Sequence, residues 1–138
     1  LFDIKIIEED VCGSGGSLQN ILKKTGFNDF FICISVDSYF DFDYNILIQN
    51  FVSDTFLVFK KYEEGRYCKD ENFNSNNLFC LAKENKQKFC YSGIGIFDAK
   101  LLNKFSFNEK EFDLCEYLIE IAKLKKLKGI EAYFPLFL

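Results

Sequence analysis

The segment of this chain whose residue types could most directly hold a ligand is a glycine-rich run between Cys12 and Leu18. Three glycines in four positions predict a loop whose backbone passes close to another group. The run comes just before an amphipathic helix, and free N–H groups at a helix N-terminus favour phosphate, ribose hydroxyl or base carbonyl oxygens. The candidate ligand-contacting residues are Gly13, Ser14, Gly15 and Gly16. A tight turn that binds nothing is the alternative interpretation.

An acidic residue, Asp37, follows the continuously apolar segment from Phe30 to Val36. Such a segment predicts a strand buried on both faces, and open α/β sheets hold ligands and metals at the carboxyl ends of their strands. Asp37 is therefore the candidate metal ligand. Asp41 and Asp43, in the acidic aromatic turn that comes next, are interpreted as solvated caps.

The composition narrows the available chemistry. The 138 residues include no histidine, which excludes Ser-His-Asp and Cys-His catalysis and every His-ligated metal. The six cysteines form no Cys-x-x-Cys pair, so we predict buried reduced thiols rather than a zinc site or disulfides. Any chemistry must use carboxylates, lysines, backbone amides and a hard, oxygen-liking cation.

Charge and hydropathy predict a soluble cytoplasmic protein that binds neither nucleic acid nor membranes. The net charge is −4, and the lysine-rich segment from Lys123 to Lys128 suits the C-terminal turns of a helix. No apolar run approaches the ~18 residues of a membrane span. The 18 phenylalanines are interpreted as core residues, with an interaction surface as the alternative.

Apolar periodicity predicts one α/β domain over residues 1–138. The chain has no methionine and begins at once with a strand pattern, so we expect an interior fragment of a longer protein. Helices are predicted at Ser17 to Lys24, at Tyr44 to Phe51, after Asp98, and from a Ser106-x-x-Glu109 capping box towards Gly129. Strands are predicted at Asp3 to Ile7, Phe30 to Val36, Thr55 to Lys60, Leu78 to Ala82, Lys88 to Phe97 and Glu131 to Leu138, with a loop over Tyr62 to Asn77.

The expected fold is a Rossmann-like doubly wound sheet that is mostly parallel. The strands at Leu78 to Ala82 and Lys88 to Phe97 are close enough in sequence to pair as an inserted antiparallel hairpin.

Five short motifs, in this order, resemble those of the sugar-1-phosphate nucleotidylyltransferases. They are Cys12-Gly-Ser-Gly-Gly-Ser-Leu18, Ser35-Val-Asp-Ser38, Gly65-Arg-Tyr67, Tyr91-Ser-Gly-Ile-Gly-Ile-Phe97 and Phe105-Ser-Phe107. The resemblance covers essentially the whole chain and is strongest to enzymes that act on heptose, mannose or N-acetylmuramate 1-phosphate. It implies a Mg²⁺-dependent attack by a sugar 1-phosphate on the α-phosphate of a nucleoside triphosphate, giving an NDP-sugar and pyrophosphate.

The resemblance also implies roles for particular residues. The nucleotide loop of the family corresponds to Gly13 to Gly16, its catalytic metal-binding carboxylate to Asp37, and its sugar-binding residues to Ser92, Gly93 and Lys83. Because the attacking phosphate is already ionised, this chemistry depends on positioning and charge neutralisation and needs no histidine.

Part of the family pattern is missing. Val36 and Cys68 stand where the family has glycine, and the family's G-x-G-T-R segment, which cradles the triphosphate, does not occur in the chain. We therefore expect the isolated chain to be inactive. A non-catalytic nucleotide- or sugar-binding module of the same fold, a decayed paralogue, is the alternative.

Overall fold

The computed structural model of the chain describes residues 6–7, 13–35, 42–105 and 112–132. The helices are α1 (Gly13–Thr25), α2 (Tyr44–Asn50), α3 (Phe73–Asn76), α4 (Ala99–Lys104) and α5 (Leu114–Lys123). The strands are β1 (Phe30–Ile34), β2 (Thr55–Lys61), β3 (Tyr67–Lys69), β4 (Phe79–Leu81), β5 (Phe89–Asp98) and β6 (Leu127–Glu131).

Strand β5 is the centre of a six-stranded sheet. It pairs antiparallel with β2 on one edge, and with β1 and β3 at different places along the other. Beyond these, β3 pairs antiparallel with β4, and β2 pairs parallel with β6. The prediction of a mostly parallel sheet is therefore wrong for the described strands. The physical reason is that the long strand β5 lies between β1 and β2 and runs opposite to both.

Three strands nevertheless point the same way. Because β5 is antiparallel to β1 and to β2, these two run in one direction, and β6 runs parallel to β2. Their carboxyl ends therefore lie at one edge of the sheet, together with the beginning of β5. This is the edge at which α/β sheets hold ligands.

The predicted hairpin between the fourth and fifth strands is not formed, since β4 pairs with β3. Strand β3 is three residues long and lies in the stretch expected to be a loop. A strand this short shows no alternation that could distinguish it from a loop. An isolated bridge between Leu78 and Lys128 also connects the start of β4 to β6.

The two faces of the sheet form separate cores. On one face, residues such as Leu57, Phe59 and Phe97 pack against α1, α4 and α5. On the other, Phe56, Val58, Ile94 and Ile96 pack around Leu47 of α2. On β1 this second face continues with Phe30, Ile32 and Ile34, whose side chains are 42, 39 and 49% exposed. Among the described elements, only the seven-residue α2 contributes a buried side chain to the second core from outside the sheet.

Helix boundaries agree with the sequence in part. Helix α1 begins at Gly13, four residues earlier than predicted, and ends as expected before Gly26, whose φ is +69° and whose N–H donates to the Leu22 carbonyl oxygen at 2.9 Å. Asp43 caps α2 by accepting from the Asn45 N–H at 3.0 Å, which confirms its interpretation as a cap.

The last helix begins and ends elsewhere than predicted. Its capping box is Asp113 with Glu116, whose Oε2 accepts from the Asp113 N–H at 3.0 Å. The predicted cap residues Ser106 and Glu109 lie outside the described residues. The helix ends at Lys123, and Gly129 belongs to β6, so the final strand starts earlier than expected.

Candidate functional site

The sheet is irregular where the sequence predicted sugar contacts. Over one interval of the β2–β5 pairing, β2 has a single residue, Val58, where β5 has three, Ser92, Gly93 and Ile94. The extra residues form a bulge in which Gly93 has φ +95° and the Ser92 hydroxyl oxygen accepts from the Ile94 N–H at 3.3 Å. Bulges re-aim side chains and occur often beside active sites. The glycine is needed here because L-residues rarely adopt this backbone conformation.

The bulge lies beside the end of β1. The Ser35 N–H donates to the Gly93 carbonyl oxygen at 2.8 Å, one residue beyond the last residue of β1. The predicted metal ligand Asp37 follows two residues later and lies outside the described residues. The structure therefore brings Ser92 and Gly93 next to the chain segment that leads to Asp37.

Lys83 lies on a different part of the fold. It is exposed and follows β4, where the Ala82 N–H donates to the Arg66 carbonyl oxygen at 2.8 Å. Strand β3 lies between β4 and β5. Lys83 is thus at the outer hairpin, while Ser92 and Gly93 are at the centre of the sheet.

The first turn of α1 contacts Phe112 and Leu114, at the start of α5. The N–H groups of Gly15 and Gly16 donate to the Phe112 carbonyl oxygen at 3.0 and 3.2 Å. The Ser14 hydroxyl oxygen accepts from the Leu114 N–H at 2.7 Å. Two of the amides predicted to be available at this helix N-terminus are therefore satisfied within the protein.

The glycines of this turn allow the close approach. A Cβ on Gly15 would overlap the ring of Phe112, and a Cβ on Gly13 would overlap the Phe112 carbonyl group. Gly13 also has φ +75°. The close approach predicted from the glycine-rich sequence is present, and the group that approaches is Phe112, which the sequence reasoning did not connect with these glycines.

Gln19 makes a second connection that sequence reasoning missed. Its Nε2 donates to the carbonyl oxygens of Leu102 and Phe105 at 2.8 and 2.7 Å. Together with the contacts to Phe112, these bonds connect α1 to the end of α4 and to the start of α5. A polar residue on a helix face carries no sequence signal for partners more than eighty positions away.

A cavity of about 480 Å³ lies next to the carboxyl ends of β2 and β6. On its wall, Glu131 accepts from Lys69 Nζ at 3.0 Å and lies 3.4 Å from Lys61 Nζ. The Lys69 ammonium also lies 4.5 Å from the centre of the Phe73 ring. Burial raises the pKa of Glu131, but the hydrogen bond and charge of Lys69, with Lys61, outweigh it and leave the pKa lowered. These charges pair with one another, and no residue assigned from the sequence lines this cavity.

The metal prediction rests on Asp37. Within the part of the chain that the structure describes, no three His, Cys, Asp or Glu side chains are grouped to hold a metal ion. A single carboxylate suits Mg²⁺, which keeps water and substrate phosphate oxygens as its other ligands. Among the described residues, no helix is both long and apolar enough to cross a bilayer.

Similar proteins are found by comparing structures, but not by comparing sequences. No family model and no curated protein matches the chain. HddC from Yersinia pseudotuberculosis in complex with GMP-PN is 22% identical with a TM-score of 0.59, over 94% of this chain and 59% of that one. A second crystal structure of HddC from Yersinia pseudotuberculosis is 23% identical with a TM-score of 0.60, over 94% of this chain and 58% of that one.

A chain from Bacillus anthracis assigned as a glucose-1-phosphate thymidylyltransferase, in complex with sucrose, is 12% identical with a TM-score of 0.66, over 92% of this chain and 56% of that one. The chain thus spans less than three fifths of the length of each of these structures. The resemblance read from the sequence motifs is confirmed at the level of the fold: this chain has the fold of the sugar-1-phosphate nucleotidylyltransferases.

Proposed function

We propose that this chain is the part of a sugar-1-phosphate nucleotidyltransferase that binds the sugar phosphate and one side of the nucleotide. The observation that supports this most is the bulge at Ser92 and Gly93, hydrogen-bonded to the end of β1 two residues before Asp37. The bulge is a polar, irregular piece of backbone beside the carboxyl end of β1, within the β2–β5 pairing. In this proposal a phosphorylated ligand beside the end of β1 meets the Asp37 carboxylate and the Ser92 side chain.

In this proposal each assigned residue has a separate task. Asp37 holds Mg²⁺, which when bound neutralises charge on the triphosphate. Ser92 and Gly93 contact sugar hydroxyls, and Lys83 contacts the sugar phosphate. The proposed nucleotide contact of the α1 turn is the exposed Ser14, since the Gly15 and Gly16 amides donate to Phe112 and the Cβ positions of Gly13 and Gly15 face the same residue. Positioning of two anionic substrates then supplies much of the rate enhancement.

The experiment is a pyrophosphate-release assay on the protein that carries this chain, with a panel of nucleoside triphosphates and sugar 1-phosphates. Asp37→Ala is expected to lower turnover at least ~10²-fold, the size of effect found when one electrostatic partner of a transition state is removed. Glu63→Ala is the matched control, because Glu63 is exposed and its loss changes the net charge by the same amount. Near-normal turnover of Asp37→Ala would remove Asp37 from the mechanism.

The pyrophosphate assay combined with calorimetry tests the non-catalytic alternative. If the wild-type protein binds magnesium nucleotide in calorimetry but releases no pyrophosphate with any pair of substrates, the transferase proposal is wrong and a binding module remains.

A further inference from the structure

Two cysteines face each other across the β3–β4 hairpin. Cys68 and Cys80 are directly opposite in the antiparallel register, and their Sγ atoms are 3.4 Å apart. The neighbouring backbone bonds, from Asp70 N–H to Leu78 O and from Ala82 N–H to Arg66 O, fix this register on both sides. The two sulfur atoms therefore need only a small side-chain movement to reach the ~2.05 Å of a disulfide bond.

The two thiols differ in access to solvent. Cys68 is fully buried and its Sγ donates to the Leu81 carbonyl oxygen at 3.4 Å, whereas Cys80 is partly exposed. A small oxidant can therefore reach Cys80 first, with Cys68 positioned behind it. The other described cysteines have no such partner within the described residues: Cys33, Cys90 and Cys115 make no recorded sulfur–sulfur contact.

We propose that Cys68 and Cys80 form a redox-active dithiol that small disulfides such as oxidised glutathione convert into an intramolecular disulfide. The Cys80 thiolate attacks one sulfur of oxidised glutathione, forming a mixed disulfide and releasing one glutathione thiolate. Cys68 Sγ, after losing its proton, attacks Cys80 Sγ, and the second glutathione thiolate leaves. Two protein thiols are oxidised by two electrons, and one oxidised glutathione becomes two reduced molecules that take up the two protons.

The surroundings determine how readily the first step occurs. Burial, with the hydrogen bond and charge of Cys68, raises the pKa of the Cys80 thiol to about 11, while Lys83 lowers it and Asp70 raises it slightly. A raised pKa leaves little thiolate at neutral pH and slows the first step, whereas the ratio of oxidised to reduced glutathione sets how much disulfide forms at equilibrium. This agrees with the reduced thiols predicted from the sequence and adds a condition under which two of them react.

The cross-link would join two strands whose backbone pairing with the rest of the sheet is short. Strands β3 and β4 are three residues each, and β3 is paired with β5 at only one position, Tyr67 with Phe89. The segment closed by the disulfide, residues 69–79, includes α3 and the Lys69 side chain that bonds to Glu131.

The test equilibrates the full chain in glutathione buffers of increasing oxidised fraction, followed by acid quenching, alkylation and peptide mass spectrometry. We expect Cys68 and Cys80 to become protected together, as one linked peptide pair two hydrogens lighter than the reduced pair. Half-conversion is expected at an oxidised glutathione concentration at least tenfold below that needed to modify Cys90 or Cys115. In Cys68→Ser, reaction should stop at the mixed disulfide on Cys80.

Two outcomes would overturn the proposal. One is a wild-type chain that stops at glutathione adducts without linking the two peptides. The other is the same linkage preference in concentrated urea as in buffer, because the preference would then not arise from the folded hairpin. The urea arm also keeps the test decisive if the Cys68→Ser variant fails to fold.

Discussion

The first turn of α1 and the bulge of β5 both rely on glycine, but in different environments. In α1, Gly13 and Gly15 lie against Phe112 of the same chain, so the residue type is explained by packing. In β5, Gly93 has φ +95° at an irregular point of the sheet, beside the end of β1. A glycine-rich sequence therefore predicts that another group comes close to the backbone, but it does not identify that group. Substitutions at the two places should therefore affect different measurements.

The largest expected effect is at Gly15. Gly15→Ala should lower the free energy of unfolding by about 3 kcal/mol, the upper part of the range for overpacking, because the new Cβ overlaps the Phe112 ring. At an open helical position the same change would instead stabilise by ~0.5–1 kcal/mol. Urea unfolding of the variant, and of the same variant combined with Phe112→Leu, measures this.

The double variant should recover part of the loss, since a smaller side chain leaves room for the Cβ. An unchanged unfolding free energy with weakened nucleotide binding would show instead that the nucleotide, and not Phe112, requires this glycine.

A smaller loss is expected at Gly93. Gly93→Ala should cost about 1–2 kcal/mol for placing an L-residue at positive φ, and should also weaken sugar 1-phosphate binding. Gly26→Ala is the matched control, because Gly26 has φ +69° and, apart from its two chain neighbours, no heavy atom of the described residues lies within 4 Å of its Cβ position. Calorimetry on both variants should find the binding defect only at Gly93. Equal binding by the two variants would contradict a ligand role for the bulge.

The smallest effect is expected at Glu131, the last residue of β6. It belongs to neither glycine region, so its substitution tests only the ion pairs at that end of the sheet. Glu131→Gln should cost less than ~1 kcal/mol, since its partners Lys69 and Lys61 are partly exposed. The folded-state pKa is lowered from 4.5, so the stabilisation is present above that pH and is lost as the pH falls through the lowered value.

Unfolding curves between pH 7 and pH 3 should therefore converge for wild type and Glu131→Gln at the acidic end. Glu63→Gln, at an exposed position, should show no such convergence. Parallel curves for Glu131→Gln would mean that the ion pair contributes nothing.

Sequence patterns predicted the local elements better than their pairing. Strands with several alternating or continuously apolar residues, such as β2 and β5, were found within one residue of their predicted bounds, and α2 and its cap were found where expected. The pairing of β4 with β3 could not be anticipated, because Tyr67–Lys69 is too short to show a period. The mostly parallel sheet was expected because helices and strands alternate, but alternation does not fix strand direction when a long strand such as β5 intervenes.

The candidate site shows the same limit. The family resemblance predicted Ser92 and Gly93 as sugar-binding residues; the structure shows them in a bulge, and their role stays a prediction. No local pattern could show that the Phe112 carbonyl oxygen would accept from two amides of the glycine-rich turn. The number of residues between Gly15 and Phe112 is too large for any periodicity to connect them. The role of Asp37 remains a prediction from its place after β1.

The docking of α1 on the distant end of the chain has a consequence for how the protein is made. Ser14 bonds to Leu114 across 100 positions, and Gln19 bonds to Leu102 and Phe105 across 83 and 86. During synthesis the first helix therefore cannot complete these contacts until most of the sequence has left the ribosome. Contacts between such distant residues are slow to form, and the apolar face of α1 stays available to chaperones or to other nascent chains in the meantime.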